Sequence, residues 1–394
     1  MKKTITTIII CCVVGNLKAQ VTPPDAPAEG KPLLQSIAEG KLTDQDYAHM
    51  ELQFNSSAKA TFEDGKYEEG SFSLNGVRMQ IAGQLTGGIT YSFRQSFTRQ
   101  YSPNASDNVS MAVEKAQVGW DVNKHFTFVI GKQFVELGGY EYWVAANRVR
   151  FYSDFNNTVP CFQAGIGGLI KLNPDQTIAV QLLNNTNASD MSTYGYGFPE
   201  DLTKTKTPII GILGYEGYFA DRALGFHYGA GYGQLATNRT QLYLTAGNVW
   251  EKKPILAYLD FMYSREGIDT KGFISDMSAN RAEGGVTAKN VEYFTTIANI
   301  DYRLTQHWNV YIKGTYETGN VYRTNGIFEK GRYNNTWSVQ ACAEYFPIKN
   351  RDLRFFLHGL YKKNELTDLS RQLGALSKET IRLSFGLEYI LPVF

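Results

Sequence analysis

The sequence predicts an all-β protein, a single transmembrane antiparallel β-barrel of about 16 strands with long external loops. Four observations lead to this prediction. Apolar and polar residues alternate with a period of two from about residue 50 to the end of the chain. Short and mostly longer connections alternate between these segments, and the chain begins with an export signal. After that signal, no apolar run is long enough to form a transmembrane helix.

Residues 1–19 form a predicted secretory signal peptide. Lys2 and Lys3 supply its charged start, an apolar run follows, and Ala19 ends a small-residue cleavage site. Cys11 is preceded by three isoleucines rather than a small residue, which argues against lipidation. The mature chain is therefore expected in the envelope of a Gram-negative cell, in the outer membrane.

Residues 20–49 form a predicted N-terminal extension on the periplasmic side. Its Pro-rich start cannot form a helix or a central strand, whereas residues 32–40 fit a short helix with Pro at the start and Gly past the end. Residues 50–394 form the predicted barrel domain.

The charge of the mature chain is nearly balanced. The signal peptide holds three of the 39 basic residues and none of the 38 acidic ones, which leaves 36 against 38 and a formal net charge of −2. A nucleic-acid partner is not expected, because it would require a basic surface. Cys161 and Cys342 lack metal-ligand spacing, so they are predicted to be buried or unpaired, and no metal or cofactor is expected.

Each predicted strand has one apolar and one polar face, because side chains on a strand alternate sides. In the last segment Ile381, Leu383 and Phe385 alternate with Arg382 and Ser384. The predicted strand centres lie near residues 56, 78, 93, 116, 129, 167, 180, 213, 228, 244, 259, 298, 312, 341, 357 and 385. An even strand count puts both chain ends on one side, and barrels of 16 to 18 strands enclose an aqueous channel.

The connections differ in length between the two predicted ends of the barrel. Short links carry turn residues, as in residues 173–176 and 220–222. The long predicted connections are residues 136–160, 185–207, 265–290, 320–333 and 363–377. Short periplasmic turns and long external loops are typical of outer-membrane barrels.

The polar faces of the strands are expected to line the lumen. They carry many charged residues, which would be very costly in a dry core and are accommodated by water. The candidate cations of the lumen wall are Arg78, Arg94, Lys115, Lys313 and Arg382.

The third external connection, residues 136–160, is rich in aromatic and charged residues. Such a composition suits a loop that folds into the barrel and narrows the pore, with packing over the rim as the alternative. The candidate constriction residues are Arg148, Arg150, Tyr140, Glu141 and Asp154.

From about residue 50 to residue 394 the sequence resembles the phosphate-selective porin O and P family, in its Bacteroidetes branch. The resemblance rests on residues 131–134 leading into the long third loop and on the terminal aromatic Phe394. It implies a passive, water-filled outer-membrane channel for small hydrophilic solutes that favours anions such as phosphate. The family's anion-selective members place basic residues on the third loop and the facing wall, and the residues that match by position are Arg148, Arg150, Arg78, Arg94 and Lys115.

Two other functions are alternatives to a pore. A barrel enzyme of the lipase or protease type would need a nucleophile beside a base. His227 and His358 are predicted to face inward and could serve as a base, but the sequence contains no Gly-x-Ser-x-Gly motif to supply the nucleophile. A plugged or substrate-binding transporter would need a larger plug than residues 20–49. Outer-membrane lipid and small solutes are the expected partners, and a homotrimer, common among 16-stranded porins, is left open.

Overall fold

The computed structural model describes residues 48–99, 109–144, 148–189, 193–281, 284–348 and 352–393. The predicted signal peptide, residues 20–47 of the predicted extension, and Phe394 lie outside the described residues.

Sixteen antiparallel strands close into one barrel, in which each strand pairs with its sequence neighbours and β1 pairs with β16. The strands are β1 His49–Glu63, β2 Lys66–Leu85, β3 Ile89–Ser96, β4 Val113–Asn123, β5 Phe126–Phe134, β6 Phe162–Asn173, β7 Gln176–Asn184, β8 Ile209–Phe219, β9 Leu224–Ala236, β10 Arg239–Lys252, β11 Ile255–Ile268, β12 Lys289–Tyr302, β13 Trp308–Val321, β14 Gly331–Tyr345, β15 Asp352–Leu366 and β16 Lys378–Pro392. Every predicted strand centre falls within a strand of this barrel. The predicted fold class is confirmed.

The two ends of the barrel differ in their connections. At the short-loop end, where β1 begins and β16 ends, the seven connections span two to six residues. At the long-loop end, residues 64–65 and 237–238 form tight turns, whereas six connections are long. These are loop 2 (97–112), loop 3 (135–161), loop 4 (185–208), loop 6 (269–288), loop 7 (322–330) and loop 8 (367–377).

The helices are short and most lie in these loops. Loop 3 contains α1 Tyr140–Trp143 and α2 Asp154–Thr158, loop 4 contains α3 Thr186–Ser189, and loop 8 contains α4 Asp368–Gln372. Two 3-10 turns, Thr86–Gly88 and Ser275–Ser278, lie in a short connection and in loop 6. Among the residues described, no helix combines the length and apolarity needed to cross a membrane.

The outer surface of the barrel is apolar. In β13, Ile312 is 54% exposed whereas its neighbour Lys313 is 2% exposed, as the alternation of the sequence predicts. Trp308 and Tyr345 pack together on the outside near the short-loop end, with ring centroids 4.9 Å apart. Aromatic residues at this level are typical of the girdles that flank the lipid-facing band of membrane barrels.

Replacing Val339 by arginine is expected to destabilise the barrel by about 2–4 kcal/mol. Val339 is exposed on the outer face near the middle of β14, where a charge would enter the hydrocarbon region. Urea unfolding in lipid bilayers measures the change, with Val339→Leu as the apolar control. Equal stability of the two variants would show that this position does not face lipid.

Apolar residues also occupy part of the inner side of the barrel. Leu183, Ile210, Ile212 and Met262 are almost fully buried and form one cluster with residues of loop 3. The expectation that the inner faces are polar throughout is therefore wrong for β7 to β11, because loop 3 covers this sector and excludes water from it.

Two further apolar clusters lie at the long-loop end. One joins loops 6, 7 and 8 to β12–β15 through residues that include Ile274, Phe328 and Leu373. The other packs Tyr194 of loop 4 against Leu235 and neighbouring residues of β9 and β11. Loops 6, 7 and 8 thus pack together over β12–β15, and loop 4 packs over β9 and β11.

Candidate functional site in the barrel lumen

Loop 3 begins at the rim and then crosses the lumen against the inner wall. The N–H of Val135 donates to the carbonyl oxygen of Cys161 over 3.0 Å and closes the base of the loop. The N–H of Gly139 donates to the carbonyl oxygen of His227 on β9 over 2.9 Å. A Cβ atom on Gly229 would lie 1.5 Å from the carbonyl oxygen of Leu137, so the loop backbone lies where a side chain would otherwise project.

Replacing Gly229 by alanine is expected to push loop 3 off the wall and to cost about 1–3 kcal/mol, as overpacking does. Gly211→Ala is the matched control on β8, since a Cβ atom there would meet its nearest atom at 3.9 Å. Chemical unfolding gives the cost and single-channel conductance reports the displacement. Equal conductance and equal stability of Gly229→Ala and Gly211→Ala would contradict the close contact between loop 3 and Gly229.

Glu141 and Lys313, both named from the sequence, form a buried ion pair between loop 3 and β13. The ammonium nitrogen of Lys313 lies 2.5 Å from Oε1 of Glu141, and both side chains are inaccessible to solvent. The other carboxylate oxygen accepts a hydrogen bond from the Ser153 hydroxyl over 2.8 Å. The N–H of Glu141 donates to Asp260 on β11 over 2.7 Å. This carboxylate therefore fixes α1 to the start of α2 and to β13 of the wall.

Arg150 is held in a second buried cluster, between the carboxylates of Glu344 on β14 and Glu388 on β16. Its Nη2 lies 2.8 Å from Oε1 of Glu344. Arg354 lies 3.5 Å from both acids and from Asp352, so two cations face three anions here. The guanidinium carbon of Arg150 also lies 3.9 Å from the centre of the Phe356 ring. Arg150 thus attaches loop 3 to the wall and is 4% exposed at its side chain.

The remaining predicted constriction residues spread along the loop. Asp154 accepts two bonds from Nζ of Lys362 on β15, over 2.6 and 2.7 Å. Tyr140 is buried, with its ring centre 5.0 Å from that of Tyr258. Arg148 is half-buried and interacts electrostatically with Glu251 and Asp301, on the β10–β12 side.

Cavities remain around loop 3 inside the described part of the barrel. Cavity A, of about 560 Å³, lies between loop 3 and β2–β6. Cavity B, of about 350 Å³, lies between loop 3, loop 6 and β12–β15, and cavity C, of about 280 Å³, lies beside β1, β2, β15 and β16. Arg78 and Tyr152 line both A and C, so these two spaces adjoin.

Cavity A holds a cluster of arginines around Glu114. Nε of Arg94 lies 2.7 Å from this carboxylate, Nε of Arg99 lies at 3.3 Å and Nε of Arg78 at 3.5 Å. Glu114 has no solvent exposure at its side chain, whereas Arg99 is half exposed. Lys115 also lines the cavity, so three predicted wall residues come together here.

Sequence reasoning missed Glu114 because simple alternation puts it on the lipid side of β4. The ladder between β3 and β4 pairs Arg94 with Lys115 and Gln95 with Val113, which leaves Glu114 as an extra residue. Such a β-bulge re-aims a side chain. Glu114 and Lys115 are consequently both buried.

Cavity A contains two further residues that alternation misplaces. Lys132 and Phe134 follow the outward Ile130 by two and four positions, yet both line the cavity. Gly131 lies between Ile130 and Lys132 with φ of 117°, and a Cβ atom there would lie 2.2 Å from the carbonyl oxygen of Ala116. Only glycine adopts this backbone without strain, and the local distortion changes the side-chain directions.

Lysine and arginine outnumber acids along cavities A and C. The cations are Lys59, Arg78, Arg94, Arg99, Lys115, Lys132, Arg150 and Arg382, and the acids among the described lining residues are Glu114 and Glu388. Arg150 and Glu388 belong to the cluster described above, and Lys59 lies 3.1 Å from Glu69, so six cations and Glu114 remain in the lining. Cavity B is balanced, with three lysines and three acids among its described residues.

One carboxyl group of loop 3 does not offset this charge at neutral pH. Burial and the nearby carboxylate of Glu216 raise the pKa of Glu136 to about 8, against the opposing effect of Lys115. Its N–H donates to the side-chain oxygen of Gln181 over 2.8 Å. Glu136 is therefore mostly protonated at pH 7 and ionises as the pH rises above 8.

The histidines lie in packed surroundings. The ring of His227 lies 5.5 Å from that of Tyr140 and 5.0 Å from that of Trp143, and His358 lies 3.2 Å from the side-chain oxygen of Gln340. Across the described part of the chain, no group of three or more His, Cys, Asp or Glu residues could hold a metal. Cys161 and Cys342 are unpaired, as expected.

A model of the family described as phosphate-selective porin O and P matches residues 49–390 of the chain. The chain belongs to this family. Membership and the barrel fold imply an outer-membrane porin with a passive channel. A search of curated proteins found no match to this porin.

Solved structures of outer-membrane channels share the fold of this porin. The outer membrane channel DcaP of Acinetobacter baumannii is 9% identical with a TM-score of 0.60, covering 87% of this chain and 97% of that chain. OmpF of Salmonella typhi, in complex with daunomycin, is 11% identical with a TM-score of 0.56, covering 88% and 99%. OmpT of Vibrio cholerae, an outer-membrane protein, is 12% identical with a TM-score of 0.53, covering 87% and 97%.

Proposed function

We propose that this porin is a passive channel that favours anions, and that solutes pass loop 3 on the side of β1–β6, β15 and β16. The observation that carries the proposal is the separation of charge inside the barrel. The mature chain is nearly neutral, yet the described lining of cavities A and C holds eight cations and two carboxylates. A water-filled passage lined by one sign of charge concentrates ions of the opposite sign.

Loop 3 sets the width of this passage. Its apolar side is buried against β7–β12, and the ion pairs of Glu141, Arg150 and Asp154 hold it in place. In this proposal these three residues shape the constriction, while Arg78, Arg94, Arg99, Lys115 and Lys132 filter the solute. Phosphate is one anion that fits, because arginine guanidinium groups bind oxyanions with paired hydrogen bonds.

The first experiment is the reversal potential of refolded protein in a planar bilayer under a potassium chloride gradient. An anion-directed potential with stable open steps is the expected result. A cation-directed potential would overturn the anion preference, and the lack of any steps from correctly inserted protein would overturn the channel itself.

Cys161 provides an independent measure of the potential in cavity A, because it lines that cavity at the end of loop 3. In a Cys342→Ser background, a negatively charged methanethiosulfonate is expected to react about tenfold faster than a positively charged one, after correction for their rates with a free thiol. Burial raises the pKa of the Cys161 thiol, so the reaction is followed at about pH 8. Equal corrected rates would contradict a positive potential.

A homotrimer is part of the proposal. It is supported by one solved form of OmpT that is described as a trimer and that matches this barrel with a TM-score of 0.52 at 12% identity. Chemical cross-linking in native membranes tests the trimer, and the detection of monomer alone, without cross-linked dimer or trimer, would contradict it.

A further inference from the structure

Cavity A is lined by side chains of two kinds. Arg94, Arg99 and Lys115 supply cations, and the half-buried rings of Phe134 and Phe162 form an aromatic wall. The two phenylalanines are directly opposite each other in the β5–β6 ladder, and their ring centres are 5.8 Å apart in an edge-to-face arrangement.

The aromatic wall is not explained by the core of loop 3 alone. Tyr142 and Trp143 are buried in that core, with ring centres 5.2 and 5.9 Å from that of Phe134. Phe134 packs against the edge of this cluster. Like Phe162 and Tyr152, it is half-buried and keeps part of its surface open to the cavity. Apolar surface left beside water in a passage is available to a ligand.

Cation and ring also lie side by side within this space. The guanidinium carbon of Arg94 lies 4.6 Å from the centre of the Phe162 ring. A molecule that places a carboxylate on Arg94 and Arg99 would therefore bring its attached carbon framework against Phe162 and Phe134. Inorganic phosphate would contact the same cations but has no apolar surface to bury.

We propose that cavity A is a binding site for small organic carboxylates with an apolar body. The carboxylate pairs with the arginines, and the body packs on Phe134 and Phe162. This inference rests on the proposed anion channel and names the class of solute for the same passage. The volume of about 560 Å³ is within the range of small-molecule sites, roughly 300–1,000 Å³.

The test measures how benzoate, acetate, inorganic phosphate and benzamide reduce the chloride current of the full-length mature porin in a planar bilayer. Benzoate is expected to halve the current at a concentration about tenfold lower than acetate or phosphate, because it adds ring contacts to the same charge pairing. Benzamide, which has the ring without the charge, is expected to have no effect at these concentrations.

Variants of the aromatic wall locate the effect. Phe134→Leu and Phe162→Leu are each expected to raise the half-blocking concentration of benzoate about threefold, since leucine keeps the apolar volume and removes the ring. The half-blocking concentration of acetate should stay unchanged. Phe385→Leu is the matched control, because Phe385 is exposed on the outer face of the barrel.

The outcomes separate this inference from the channel proposal. A cation-directed reversal potential of the wild-type porin would overturn the proposed anion preference. An anion-directed potential with equal block by benzoate and acetate would overturn the organic-carboxylate site alone. Unchanged benzoate block in Phe162→Leu, in a barrel of wild-type stability, would likewise overturn it.

Discussion

Replacing Arg78 by glutamate is expected to lower the ratio of anion to cation permeability about tenfold. Arg78 lines both cavity A and cavity C, so every ion on the proposed path passes it. Two unit charges about 6 Å apart in water-like surroundings interact by about 0.7 kcal/mol, which screening by salt roughly halves. Reversing the charge therefore raises the free energy of an anion by about 0.7 kcal/mol and lowers that of a cation by the same amount, which is about 1.4 kcal/mol in the ratio. Reversal potentials in a salt gradient measure the ratio.

Arg78 also contacts Glu114, so the charge reversal needs controls for structure. Arg78→Gln removes the charge without adding a carboxylate beside Glu114, and about half the effect in free energy is expected. Arg323→Glu makes the same charge change at an exposed position of loop 7, away from both cavities. If Arg323→Glu shifts the ratio as much as Arg78→Glu, the path does not run past Arg78.

Replacing Arg150 by methionine is expected to release loop 3 from β14 and β16. Removing one partner of a buried ion pair is costly because it leaves a charge without its counter-ion, and we expect a loss of about 3 kcal/mol, at the lower end of the usual range. The lower end applies because Arg354 still contacts Glu344 and Glu388. Chemical unfolding measures the loss, and larger, noisier single-channel currents report the released loop.

Lys363→Met is the matched control for this prediction. Lys363 pairs with Glu365 over 3.3 Å, but both side chains are well exposed. Exposed pairs contribute about 0–1 kcal/mol, so little change is expected. A quiet current of unchanged size from Arg150→Met would show that the cluster around Arg150 does not hold the loop.

The barrel could be predicted from the sequence because lipid and water impose alternation on each strand. Segments such as β13 carry that signal over many residues, and the turn residues mark the short-loop end. The long third loop was also evident from the composition of residues 136–160. The wall residues to which this loop attaches were not evident, because they depend on which strands lie opposite the loop once the barrel has closed.

The cationic cluster could be predicted only in part, for local reasons. Arg78, Arg94 and Lys115 follow the alternation of their strands, so they were found. Glu114 was misplaced by a bulge that depends on the pairing of β3 with β4, and Arg99 lies in loop 2 without a periodic pattern. The directions of the Phe134 and Lys132 side chains depend on the unusual backbone at Gly131, which the sequence pattern does not reveal.

The inner apolar wall had a sequence signal that alternation alone does not interpret. Residues 209–213 of β8 are apolar on both faces, interrupted only by Gly211. In a porin strand this pattern indicates that an apolar segment of the protein covers the lumen side and excludes water from it. Here that cover is loop 3, whose side chains fill the space beside Ile210 and Ile212.

The contact between Arg150 and Glu388 joins positions 238 residues apart and has a consequence for the order of folding. Loop 3 precedes eleven of the strands in the chain, yet it settles against the last of them, β16. Closing so long a segment costs chain entropy that the contact alone does not recover, so it forms late. The barrel must therefore close before its pore acquires a shape, and a chain truncated before β16 would lack an ordered constriction.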